Sequence, residues 1–363
     1  MQRTRCCLCP EDGQVLQPVF VMEQLPTTFS PTSQPYEQDC FVDVTFGACL
    51  RCGSVQLMNL VDQMVLYGSS HNQTCHSRVW REHHESFADF VRAADISPTT
   101  CVIEVGGASG DLANHLLGTT FREYTILELS VPALKTCDAR FVEGNCENFT
   151  FPRGSVLILS HVFEHLYNPA HFVDNCALNG VTDVFLSVPD MANLEAVPIH
   201  IEHTFYVESK DIVGLFSRSS YTLKRAFSFR AHSQFMHFSY DSETAPLQPE
   251  YDGARQDRVV RALTERKQKF ENLKIPAGSF VSPAGPYGQM LQYYAKSHVI
   301  RGFLDNDLSK QRKRVYGTPF EVFPFSAVSG SGPVVIILHA GPYSHELSEQ
   351  IRSINHEAEI ILI

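Results

Sequence analysis

The sequence predicts an α/β protein. A doubly wound, largely parallel sheet forms the centre, a small cysteine-paired block precedes it, and a second, smaller α/β unit follows. Three observations carry this expectation. Apolar runs at 101–105, 124–129, 156–160 and 182–188 alternate with helical stretches, as in a parallel sheet with crossover helices. The first run opens into a glycine loop and the second ends on an acid. Two Cys-x-x-Cys pairs stand near the start of the chain.

The run Val102-Ile103-Glu104-Val105-Gly106-Gly107-Ala108-Ser109-Gly110-Asp111-Leu112 reads as a buried strand, a glycine turn and a helix start. Glycine lacks a Cβ and tolerates positive φ, so the backbone can come close to a ligand. The helix N-terminus behind it offers free N–H groups. Glu128 follows Gly106 by 22 positions, where a doubly wound fold sets an acid on ribose hydroxyls. The reading is a nucleotide-like cofactor held by Glu104, Gly106, Gly107, Ala108, Gly110, Asp111, Glu128 and Leu129; the alternative is an ordinary tight turn. The glycines do not fit G-x-G-x-x-G, so the dinucleotide fingerprint fails.

The 363 residues allow two or three domains, and the polar stretch 241–256 marks one boundary. The expected blocks are 1–80, 81–240 and 257–363, the last opening with a helix over 257–273. Strands are expected there at 298–304 and 333–338, with a glycine turn at Gly285-Pro286-Tyr287-Gly288. A net charge of −11 argues against a nucleic-acid partner, whose phosphates call for a basic patch. No run of 18 apolar residues suggests a membrane span. The chain shows no apolar signal core, which implies a cytoplasmic location and reduced thiols. No motif identifies a protein partner.

Cys6 and Cys9 form one pair, Cys49 and Cys52 the other, and Gly53 follows the second. Four thiolates match a closed, structural zinc site, a staple that a small Pro-rich block needs. Cys7 replacing Cys6, or four unrelated cysteines, are the alternatives. Cys40, Cys75, Cys101, Cys137 and Cys176 read as ordinary small apolar residues.

The segment Pro198-Ile199-His200-Ile201-Glu202-His203-Thr204-Phe205-Tyr206 follows the strand at 182–188 and so lies over the carboxyl edge of the sheet, where ligands bind. His200, Glu202, His203 and Tyr206 are the candidate catalytic residues; a polar loop with one satisfied histidine is the alternative. His161, Glu164 and His165 form a second polar group, read as structural or cofactor-lining.

The hydrophobic-E-hydrophobic-G-x-x-x-G form of the loop resembles motif I of class I S-adenosylmethionine-dependent methyltransferases. Gly144 to Pro152 resembles their adenine-side segment, with Asn145 in place of the usual Asp and Cys146 beside it. Ser155 to Leu166 resembles their fourth strand and its loop, which brings in Ser160 and His161. The order of cysteine pairs, methyltransferase core, histidine loop and second α/β unit is similar to that of the sugar C-methyltransferases. That resemblance implies an N-terminal zinc domain, a central S-adenosylmethionine domain and a C-terminal Rossmann-like domain. It also implies methylation of a carbon on a nucleotide-linked keto-deoxysugar.

The family's H-E-H-x-x-Y-F loop aligns with Ile201 to Tyr206, so His203 takes the role of base. Ile201 replaces the first histidine, and His200 stands where a tyrosine is common. His200 or Tyr206 would steady an enolate oxygen, and Glu202 would hold the imidazole tautomer. The family's substrate-side tyrosine precedes a tryptophan, here Trp80; Tyr67 lies somewhat upstream of that place, with His71 and Asn72 closer. O- or N-methylation of another small molecule, and a non-catalytic interaction protein, are the competing readings.

Overall fold

In the computed structural model, all residues are described except 10–14, 69–77, 192–200, 248–250 and 296–298. The chain divides into two compact units. The first comprises Met1–Val19, Phe46–Asn193 and Glu202–Asp257; the second comprises Phe20–Thr45, Leu194–Ile201 and Arg258–Ile363.

The first unit is built on seven strands: β1 (Val102–Val105), β2 (Thr125–Glu128), β3 (Arg140–Glu143), β4 (Val156–Ser160), β5 (Asp183–Pro189), β6 (Tyr221–Phe229) and β7 (Ser233–Tyr240). Their order is β6-β7-β5-β4-β1-β2-β3. Strands β1 to β5 pair in parallel, while β7 runs antiparallel to both β5 and β6. The apolar runs of β1 and β4 are buried throughout their length apart from the last residue of β4, as expected for strands covered on both faces. The chain reverses its direction across the sheet between β1 and β4, which opens a crevice at their carboxyl ends.

Helix α1 (Arg78–Arg92) buries Val79, His83, Phe87, Phe90 and Val91 along one stripe. Its phenylalanines meet Phe185 of β5 and Phe235 of β7. Helix α2 (Pro169–Asn179) starts with an Asn168 cap and Pro at its first turn, and stops at left-handed Gly180. Helix α3 (Ser209–Arg218) is fixed by a Glu208–Asp211 capping box.

A small antiparallel sheet pairs Phe46–Ala48 with Val55–Leu57, and Val55 and Gln56 with Phe205–Tyr206. The cysteine block is therefore stitched to the histidine loop. Buried Arg3 strengthens the seam by donating to the Thr204 and Tyr167 carbonyls.

The second unit has five parallel strands, β8 (Phe280–Ser282), β9 (Gly302–Leu304), β10 (Val322–Phe323), β11 (Val335–Leu338) and β12 (Glu359–Leu362), ordered β10-β9-β8-β11-β12. Both units thus begin with the same winding: third, second, first, fourth, fifth strand. The fold is α/β and Rossmann-like, as the sequence predicts. Sequence pattern did not single out the strand Leu16–Pro26 or the β6–β7 hairpin. The helix expected over 257–273 starts earlier, at Gly253, inside the stretch read as a polar spacer. Among the described residues, no helix is long and apolar enough to cross a membrane.

Candidate functional site

The glycine loop leaves β1 at Gly106, whose φ of +69° suits glycine and whose N–H bonds Leu127 O at 2.9 Å. A Cβ on Gly106 would reach within 2.4 Å of a Val162 methyl, and one on Gly107 within 2.7 Å of the Glu104 carboxyl carbon. Ala108 also holds a positive φ, a conformation that few side-chain-bearing residues adopt. That turn aims its N–H at Glu128 Oε1, 2.5 Å away, and ties the end of β2 to the loop. Asp111, further along, accepts from Thr136 Oγ1 at 3.1 Å and lies near Ser109.

Two carboxyls here are held against ionisation. Burial pushes Glu104 up to about 8, with the Tyr124 hydroxyl pulling back and Glu128 and Asp111 adding to the rise. Burial also raises Glu128 to about 7, against the opposing pull of the Ala108 N–H. Among the described residues, Glu104 Oε2 and Ser160 Oγ are buried with no hydrogen-bond partner. Unmet polar atoms beside a glycine loop are what a polar ligand would satisfy, so the residues fit a nucleoside cofactor.

Leu129 follows Glu128 past the end of β2, and Asn145 and Cys146 follow β3. The Asn145 side chain is engaged by the protein: it donates to Gln63 Oε1 at 2.8 Å and accepts from Glu147 N at 2.9 Å. Cys146 is buried, which drives its thiol upward. His161 directly follows β4. Its Nε2 meets Ser233 Oγ at 2.8 Å and its Nδ1 faces Glu164 at 3.3 Å.

The histidine loop converges with the segment after β4. Thr204 N bonds Glu164 O at 3.0 Å, and Thr204 Oγ1 bonds Leu166 O, so the loop is pinned beside the Phe163–His165 turn. The His203 and His165 rings lie 5.1 Å apart. His165 Nδ1 shares a 2.7 Å hydrogen bond with Tyr67 OH and lies 3.8 Å from Glu202 Oε2; its Nε2 lies 3.7 Å from Glu164 Oε1. Burial lifts the Glu164 carboxyl to about 7, against the attraction of His203. Tyr206 packs on Phe46, its ring 6.4 Å from His203.

Glu202, His203 and Tyr206 lie in one cluster, while His200 lies outside the described residues. Tyr67, Glu164 and His165 belong to the same cluster. Sequence spacing leaves Tyr67 somewhat too far upstream, and His161, Glu164 and His165 read from sequence as a structural or cofactor-lining group. Their own pattern, acid and imidazole adjacent at the end of an apolar run, was the available signal.

Cys6, Cys9, Cys49 and Cys52 are buried with their sulfurs all within 4.8 Å of one another. Cys6–Cys52 and Cys9–Cys49 stand 3.8 Å apart. A tetrahedron with ~2.3 Å zinc–sulfur bonds has edges of about 3.8 Å, so the set fits zinc. Gln56 Nε2 donates to Cys6 and Arg51 N to Cys49, as donors around thiolates do. Cys7 is outside the set and uses its N–H on Gln56. Two of the cysteines read as small apolar residues differ from that reading: Cys40 and Cys101 are exposed.

No protein-family model matches the chain, and no curated protein matches it. Solved structures similar to it include a magnesium protoporphyrin IX methyltransferase from Synechocystis with bound SAH, at 13% identity, 45% of this chain, 84% of that one and a TM-score of 0.36. A glycopeptide N-methyltransferase complexed with S-adenosylmethionine is 14% identical over 43% of this chain and 94% of that one, with a TM-score of 0.35. An S-adenosylmethionine-dependent methyltransferase from Clostridium acetobutylicum is 7% identical over 45% of this chain and 92% of that one, also at 0.35. The strand order makes the sheet of the first unit doubly wound and Rossmann-like.

Proposed function

We propose that the chain is an S-adenosylmethionine-dependent methyltransferase acting on a small molecule, and that the acceptor is a carbon beside a ketone on a nucleotide-linked deoxysugar. The observation that carries this reading is the Tyr67–His165–Glu164–His203 cluster with Glu202, buried beside a glycine loop tied to Glu128. A methyl group on sulfonium sulfur is already activated when the cofactor is bound. The protein's task is then to make a carbon nucleophile. His203, in its neutral form, takes the acidic hydrogen next to the ketone. Tyr67, kept a phenol by burial, and His165 form a donor pair that steadies the enolate oxygen. Glu164 and Glu202 flank the two rings and hold their orientation.

The glycine loop and Glu128 hold the cofactor. Cys6, Cys9, Cys49 and Cys52 hold a structural zinc that fixes the strand paired with the histidine loop. The working division remains 1–80 for zinc, 81–240 for the cofactor and 257–363 as a Rossmann-like unit, in a cytoplasmic enzyme with reduced thiols.

Calorimetric titration with S-adenosylmethionine comes first, with Glu128→Ala as control. Micromolar binding weakened by the substitution supports the cofactor assignment, and no binding by the folded, zinc-loaded chain overturns it. Deuterium exchange at a keto-sugar carbon, lost in His203→Asn while the cofactor still binds, supports the base. Methyl transfer to oxygen or nitrogen with no such exchange overturns the carbon acceptor.

A further inference from the structure

From the convergence of His83, His161 and His232, the first buried and the other two half-buried, we propose a second metal site that takes a divalent transition ion such as zinc or cobalt, separate from the four cysteines. The three imidazoles come from distant parts of the first unit: the buried face of α1, the residue after β4, and the turn between β6 and β7. Each offers a nitrogen, and the three lie within 4.8 Å of one another. Binding at ~2.1 Å needs nitrogens about 3.3 Å apart, so each moves inward by less than about 1 Å.

The surroundings are those of an imidazole metal site. His83 is fully buried; its Nε2 shares a 2.8 Å hydrogen bond with Ser187 Oγ, and its Nδ1 has no hydrogen-bond partner among the described residues. Ser233 Oγ lies 2.8 Å from His161 Nε2 and 2.6 Å from His232 Nδ1, and a metal taken on His161 Nε2 displaces the first of these contacts. Glu164 stands 3.3 Å from His161 Nδ1, the carboxylate behind a histidine ligand that such sites commonly carry. Trp80 packs edge-on against all three rings, and Phe229 and Phe235 cover His83. His161 sits at a φ of +54°, a conformation that costs backbone energy and is kept where the surroundings demand it. Three imidazoles select zinc, copper, nickel or cobalt over magnesium or calcium, and they leave a fourth position open.

The test is cobalt titration of the full chain with zinc on its cysteines, read by visible d–d absorption and by metal content. The expected result is one further equivalent at micromolar affinity, lost at least tenfold in both His232→Ala and His161→Asn and kept in His84→Ala. Circular dichroism of each variant checks the fold, and His232→Gln replaces any variant that fails it. No further equivalent, or one that survives in the folded histidine variants, or one lost only in Cys49→Ser, overturns the site.

Discussion

Glu104→Gln should stabilise the ligand-free protein, and the gain should grow with pH. Glu104 is buried in β1 with one carboxyl oxygen unpartnered, and burial raises it from 4.5 to about 8. The sign follows from proton counting. Between those two values the unfolded chain has released the proton while the folded chain still holds it, so folding loses stability as pH rises. Below 4.5 both states are protonated and the group contributes no pH dependence; above about 8 the full cost is present. At ~1.4 kcal/mol per pH unit, the cost at pH 8 exceeds that at pH 5 by about 3 kcal/mol. Glutamine is isosteric with the protonated acid and carries no proton to lose. The assay is urea unfolding of wild type and variant from pH 5 to pH 8. The variant's advantage should widen by about 3 kcal/mol across that window. A constant difference, or one that narrows with pH, would refute the claim that Glu104 is neutral in the fold.

Four further outcomes are expected. Atomic absorption should find one zinc per chain that Cys49→Ser loses, with a fall in melting temperature, because the four sulfurs are spaced for one ion. His203→Asn should lower turnover roughly 10²- to 10⁴-fold with cofactor affinity unchanged, as loss of a general base does. Gly106→Ala should abolish cofactor binding, since its φ is +69° and its new methyl would meet Val162. Asp39→Asn should destabilise the second unit by about 3 kcal/mol in thermal unfolding. The Asp39 side chain is buried, accepts two bonds from Arg314 at 2.5 and 2.6 Å, and takes the Gly317 N–H at 2.7 Å.

Much of this architecture is legible in sequence because its signals are local. The runs of β1 and β4, the glycines that a Cβ would block, and the acid ending β2 are each read from a few consecutive residues. The cysteine pairs are legible for the same reason, since thiols three apart on a turn can share one ion. What spacing cannot supply is which distant segments meet. Tyr67 reaches His165 across 98 positions and His83 reaches Ser187 across 104. Those contacts depend on how α1 packs against the phenylalanines of β5 and β7 and on the register of a hairpin, neither of which a linear pattern encodes. A histidine on the apolar stripe of α1 reads as a core residue until His161 and His232 arrive beside it.

The two units put the same device to different use, and this bears on where a cofactor goes. In both, the acid that ends or follows the second strand of the winding accepts an N–H from the loop after the first strand: Glu128 from Ala108, Asp305 from Ala284. In the first unit, burial leaves that carboxyl poorly solvated, and the neighbouring Glu104 has a buried oxygen with no partner among the described residues. A ligand with hydroxyls and a positive centre would meet unmet demand there. In the second unit, Asp305 also takes Lys310 Nζ at 3.1 Å and Asp307 N at 3.0 Å, and Gly288 presses close against the Pro283 carbonyl. Three of its roughly four acceptor sites are taken inside the protein, one of them by a cation that neutralises it. A ligand would have to break the Lys310 pair and leave a buried charge exposed to no compensation, at a cost of several kcal/mol. The shared winding therefore gives two sheets of one design, and the polar accounting at the acid leaves the first with the demand that the proposed cofactor would meet.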